Sequence, residues 1–267
     1  MRGCFVRLLF GDDLVDRRGA VVREVALCRN LPQPEPVVFW AMGAENLTMA
    51  RAAGWNAQLL SDEPVLNLTG DTERHPEVQC GLAAYGTNVF HAKFLAVQAA
   101  VERLGYGQAV FLDLDIGLNP SVPSLPGNFW ERLESGQPFQ AGLRTYHRRI
   151  CTWRQDGQRT VCWAAAFYTR GAEICQRMMD GARAQPRWFE QWVMSKVVDD
   201  MMGGWKGPEA YRDAGYYFPF LEQRLCYPAE VPVFMAMLNK GYSSNTRDSE
   251  AWNAHVAKVL ESKHGPT

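Results

Sequence analysis

Two aspartates one residue apart, Asp113 and Asp115, close an apolar run in AVFLDLDIGLNP, residues 109–120. Side chains alternate across a strand, so both carboxylates are expected on one side if the strand continues through them. Two like charges in a dry cleft repel each other unless a cation lies between them. Oxygen-only donors suit Mg²⁺ or Mn²⁺, which complete their shells with phosphates and waters. The pattern therefore reads as a divalent-metal site for a phosphorylated ligand. The plain alternative is a strand end with one Asp capping the turn at Gly117-Leu118-Asn119-Pro120.

Other groupings could act with this pair. Asp12 and Asp13 follow an early apolar run in FGDD. Asp199 and Asp200 end an amphipathic segment; neighbouring helical positions point about 100° apart, so at most one can face a given site. Residues 144–159, RTYHRRICTWRQDGQR, hold five arginines against a single aspartate, interleaved with Tyr146, His147 and Trp153. Guanidinium groups bind phosphates in a bidentate manner and aromatic faces stack on bases, so Arg148, Arg149 and Trp153 are candidate acceptor contacts. A solvated hairpin loop explains the same run without a ligand. In TVCWAAAFYTRG, residues 160–171, small residues in mid-strand let another backbone or a ligand come close. His75 and His91 have no assigned role.

The elements that must position these groups follow from periodicity. Residues 4–10, 37–42, 57–60 and 109–114 read as strands, and 18–30, 45–54 and 91–104 as helices. The helix at 91–104 has strong helix formers, an apolar face and Gly105 just past its end. Residues 61–88, rich in Asp, Glu, Pro, Gly and Thr, read as a long loop. Strands alternating with helices predict an α/β fold with a mainly parallel sheet, where ligands bind at the carboxyl ends of strands. Asp113 and Asp115 stand at one such end and Asp12 and Asp13 at another. In the less regular second half, 128–133, 173–184 and 189–202 are predicted helices and 139–144 and 160–169 strands. Residues 203–227 are expected to be mostly loop, and 256–260 to belong to a last helix.

The succession HAKFLAVQAAVERLGYGQ, AVFLDLD, IGLNP resembles the metal-binding segment of nucleotide-sugar glycosyltransferases of the GT-A fold, most of all the glycogenin- and galactosyltransferase-like group. The resemblance covers residues 4–120 and weakens beyond them. It implies one GT-A-like domain: residues 1–120 form a nucleotide-sugar-binding half, and 121–267 a less regular half that receives the acceptor. It further implies that Asp113 contacts the ribose or the metal, that Asp115 ligates Mn²⁺ or Mg²⁺, and that Lys93 lies near the donor diphosphate. Asp12 and Asp13 would hold the nucleoside, and Ala164 to Ala166, with Ala165 at the centre, the floor of the donor-sugar site. A carboxylate from the later helix, Asp200 before Asp199, would face the reacting carbon. The family's C-terminal histidine motif is absent, and His255 is the candidate third ligand.

The implied activity is transfer of a hexosyl or pentosyl group from a nucleotide sugar, a UDP-sugar favoured, to an acceptor glycan or to a hydroxylated base in DNA, as in phage-type enzymes. Two other readings stay open. One is a nucleotide-sugar-binding protein without turnover. The other is a haloacid-dehalogenase-like phosphatase, although its motif normally opens a domain and ends in Thr or Val where this chain has Gly117.

Composition narrows the classes. The 267 residues are 47% hydrophobic, enough for a sizeable core, and a net charge of −1 supplies no global field for nucleic acid or anionic membranes. Seven cysteines, at 4, 28, 80, 151, 162, 175 and 226, form no CxxC pair. With no secretory signal and no run of ~20 apolar residues, they predict a cytoplasmic protein with reduced thiols and no membrane span. Neither composition nor motif fixes an oligomeric state.

Overall fold

The computed structural model describes residues 1–9, 36–52, 54–63, 88–113, 116–119, 122, 124–145, 160–185, 188–222 and 232–236. The predicted helices at 18–30 and 256–260 lie outside these residues, as do Asp12, Asp13, Asp115, Arg148, Arg149, Trp153 and His255.

Four strands run parallel: β1 (Gly3–Leu9), β2 (Val37–Met42), β3 (Ala57–Ser61) and β4 (Gln108–Leu112). All residues of β1 and β4 are buried, as expected of parallel strands covered on both faces. Two antiparallel strands, β6 (Phe139–Thr145) and β7 (Thr160–Arg170), complete the sheet in the order β3-β2-β1-β4-β7-β6. The chain moves outward from β1 through β2 to β3, then returns to place β4 on the other side of β1. The carboxyl ends of β1 and β4 therefore flank a topological switch point, where an open α/β sheet leaves a crevice.

Alternation along β1 sends its side chains to the two faces of the sheet, where they join three apolar clusters. Cys4, Val6 and Leu8 pack under helices α2 (Asn88–Leu104), α4 (Glu173–Ala184) and α5 (Glu190–Met201). Phe5 faces a cluster built from α3 (Phe129–Glu134) and a second, three-stranded sheet. Leu9 meets Ala50 of α1 (Ala44–Ala52) together with Phe39 and Trp55. Helix α2 stops where Gly105 takes φ +71°, a left-handed conformation that glycine adopts without a Cβ clash.

The second half is more ordered than its composition suggests. The segment expected to be loop contains α6 (Pro208–Asp213) and β8 (Leu221–Glu222). With β5 (Ile116–Leu118) and β9 (Phe234–Ala236), β8 forms the small sheet in the order β5-β9-β8. Two- and three-residue strands leave almost no periodicity to read. No helix among the described residues is long and apolar enough to cross a membrane.

Candidate functional site

Strand β4 ends at Leu112, one residue before the first aspartate. Asp113 still donates its N–H to the Ala165 carbonyl at 2.7 Å, but Ile116 N–H then closes on the Asp113 carbonyl at 3.0 Å and the chain turns into β5. The strand thus ends before Asp113, and Asp115 lies outside the described residues. The Asp113 and Ile116 carbonyls are both held by a residue that sequence reasoning passed over. The buried Arg7 of β1 donates to the Asp113 carbonyl at 3.0 Å and to the Ile116 carbonyl at 2.7 Å. Its signal was legible: an arginine inside an otherwise apolar parallel strand needs buried acceptors.

Strand β7 borders the β4 end. The β6–β7 register shifts between Ala141 and Gly142, and the partners on β7 jump from Phe167 to Trp163. Ala164, Ala165 and Ala166 thus leave the β6 ladder, an irregularity of the kind often found beside functional sites, while Ala166 stays paired with Leu112 of β4. Ala165, the expected floor of the sugar site, meets Asp113 through its carbonyl. Ala164 offers its carbonyl to Lys93 at 3.4 Å.

Lys93 comes from the other side, on α2. Its Nζ lies 2.8 Å from Asp113 Oδ1 and 3.5 Å from Glu190 Oε1, and it sits 5.5 Å above the Phe111 ring. The structure thus brings together Lys93, Asp113 and Ala165 and adds Glu190, the first residue of α5, which no motif marked. Lys93 and Glu190 are sealed, with side-chain exposures of 6% and 5%, whereas Asp113 is 31% open to solvent. Burial pushes the Glu190 carboxyl above its usual range; Lys93 pulls it down, and the charge of Asp113 pushes it up again. Glu190 Oε2 has no hydrogen-bond partner among the described residues.

His91 joins the same helix pair. Its Nε2–H donates to the Trp188 carbonyl at 2.9 Å and ties α2 to the residues entering α5. Full burial lowers its pKa to about 4, the Trp188 bond opposes this, and Lys93 adds to the lowering. His91 is therefore neutral at physiological pH.

Asp199 and Asp200 lie nine and ten residues further along α5 than Glu190, about 14 Å along the axis. Asp200, the preferred sugar-facing carboxylate, points to solvent and pairs with Lys196 of its own helix. Asp199 is buried, with its charge felt by Tyr211. The amino-terminal end of α5, where Glu190 stands, is the end that meets Lys93 and the strand end.

The arrangement suits an oxygen-loving divalent cation. A partly open carboxylate lies at a switch point, with a buried carboxylate behind it. Among the described residues no group of three His, Cys, Asp or Glu forms a complete ligand set. The described part of the site supplies Asp113.

No family model and no curated protein matches the chain by sequence. Solved structures match it along most of its length. Mouse xyloside xylosyltransferase 1, in its apo form, aligns over 88% of this chain and 97% of its own, with a TM-score of 0.50 and 11% identity. The fold is GT-A-like. A glycosyltransferase involved in glycosylation of the major capsid of PBCV-1 aligns over 97% of this chain and all of its own, at a TM-score of 0.42 and 12% identity. Core-mannan synthase A of Aspergillus fumigatus, in its Mn/GDP form, aligns over 74% of this chain and 69% of its own, at a TM-score of 0.42 and 10% identity.

Proposed function

We propose that the protein is a metal-dependent glycosyltransferase that moves a hexosyl or pentosyl group from a nucleotide sugar to an acceptor hydroxyl. The observation that carries this reading is the contact of Lys93 with Asp113 at the switch point of a GT-A-like sheet. In the transfer, the bond between the anomeric carbon and the diphosphate oxygen breaks and a bond to the acceptor oxygen forms. The acceptor proton and the nucleoside diphosphate leave. Mn²⁺ or Mg²⁺, held by Asp113 and Asp115 with His255 as the third ligand, supplies Lewis-acid neutralisation of the departing diphosphate. Lys93 adds a positive charge near it.

The remaining roles follow the same reading. Asp12 and Asp13 hold the nucleoside, a UDP-sugar being the favoured donor, and Ala165 borders the sugar. Arg148, Arg149 and Trp153 receive the acceptor, a glycan or a hydroxylated base in DNA. Asp199 is the inward-facing carboxylate of the Asp199–Asp200 pair. A phosphatase reading is weaker, because the aspartate motif follows the fourth parallel strand of the described chain and not the first.

A thermal-shift panel of UDP-, GDP- and CMP-sugars, each with and without Mn²⁺, tests the proposal. A specific donor raises the melting temperature by mass action, and only with metal present. No shift with any nucleotide sugar, or a shift that survives Asp115→Ala, rejects it. Repeated turnover with release of nucleoside diphosphate separates an enzyme from a binding protein.

A further inference from the structure

Lys93 stands between two carboxylates and cannot neutralise both. Nζ is 2.8 Å from Asp113 Oδ1 and 3.5 Å from Glu190 Oε1, while Glu190 Oε2 has no hydrogen-bond partner among the described residues. With both carboxylates ionised, these three side chains carry one negative charge in excess, in surroundings where an uncompensated charge is strongly unfavourable. The two carboxylates differ in access. Asp113 opens to solvent and Glu190 is sealed behind it, so a dissolved cation can reach the first and not the second.

We propose that Lys93 holds the place of the divalent ion on Asp113 and passes to Glu190 when the ion binds. The proposal rests on the metal-dependent reading above and adds a regulation of that site. An ammonium and a divalent ion at the same carboxylate repel each other, so one must withdraw. Both acceptors are already within reach of one flexible four-carbon stem, and the exchange needs only rotation about its bonds. Glu190 is a positioning residue in this scheme: it keeps the displaced lysine charged and close, and no new charge is stranded in the core.

Mn²⁺ binding to the intact, metal-stripped chain, measured by isothermal titration calorimetry without nucleotide, tests the hand-over. Lys93→Met removes the competing ammonium and is expected to tighten Mn²⁺ binding about tenfold. Glu190→Gln removes the second berth and is expected to weaken it severalfold. In the double variant Glu190→Gln has a much smaller effect, because the lysine that needed the berth is gone. Equal effects of Glu190→Gln in both backgrounds reduce Glu190 to simple charge attraction and overturn the proposal, as does Lys93→Met binding that is unchanged or weaker.

Should Lys93→Met fail to fold, the double variant compared with Glu190→Gln alone makes the same measurement without stranding the Glu190 charge; tighter binding in the double variant is the expected result. Mn²⁺ binding that is absent from the wild type, or indifferent to Asp113→Asn, breaks the metal-dependent reading and the hand-over with it. Binding that needs Asp113 but ignores Lys93 breaks the hand-over alone.

Discussion

The two ends of β4 are built on opposite principles. At its start, the buried Gln108 donates to Glu134 at 2.8 Å and accepts from the Tyr168 hydroxyl at 2.9 Å, while Arg170 donates to the Glu134 carbonyl at 3.0 Å. Gln108 and Tyr168 both find partners there. Just past its last residue, one lysine serves two carboxylates, and Glu190 Oε2 and His91 Nδ1 have no hydrogen-bond partner among the described residues. Buried polar groups are normally satisfied, and where a chain leaves them short the gap usually belongs to a ligand or to function. One strand thus carries a stabilising end and a working end.

Substitutions can break that division. Asp113→Ala is expected to lower nucleoside diphosphate release by about a thousandfold, on the scale of losing a main electrostatic contact to the reacting group. If Tyr168→Phe at the other end lowers turnover as much, the two ends do not differ in the way described. Lys93→Met should lower stability by about 3 kcal/mol in urea unfolding, because the buried Glu190 loses its cation.

His91 gives the working end a pH signature. At neutral pH neither the folded nor the unfolded chain protonates this histidine. As pH falls through 6.5 the unfolded chain takes a proton that the folded chain refuses until about 4. Stability therefore declines with falling pH across that window, by about 3 kcal/mol in all, and the contribution levels off below it. Urea midpoints between pH 4 and 7 should show the slope, and His91→Gln should flatten it while keeping a donor for the Trp188 carbonyl. A slope unchanged by this variant would place the titration elsewhere.

Smaller effects sharpen the contrast. Tyr168→Phe leaves the Gln108 oxygen without its donor and should cost about 1 kcal/mol in the melting curve. Lys196→Ala breaks an exposed pair one turn apart on α5, and a change within about 0.5 kcal/mol is expected by the same method. A larger loss would mean that this pair behaves like the buried one at Lys93.

Several local elements were legible in the sequence to within a few residues. The helix predicted at 91–104 is α2 with one further turn at its start, and the segment predicted at 173–184 is α4 with the same bounds. Long apolar periodicity and a terminal glycine encode such elements in neighbouring residues. The site was legible only in part. Asp113, Lys93 and Ala165 were expected near one another through the family resemblance, and the structure joins them. Glu190 could not be read: it lies 97 residues after Lys93 in sequence, and an acidic residue at a helix start is ordinary capping chemistry. A carboxylate's place on a helix does not tell which end of that helix meets the strands, so the sequence did not show that the Glu190 end of α5, and not the Asp200 end, stands beside Lys93.

By itself the sequence determined the alternating α/β pattern, the apolar strand that stops at an aspartate, and the lysine on the preceding helix. These depend on local propensity and on hydrophobic period. Only the tertiary structure decided that β4 lies beside β1 at the switch point, that Arg7 holds the Asp113 and Ile116 carbonyls, and that the start of α5 delivers Glu190 to Lys93. Those outcomes depend on which buried faces pack together, and packing joins residues that no spacing along the chain connects.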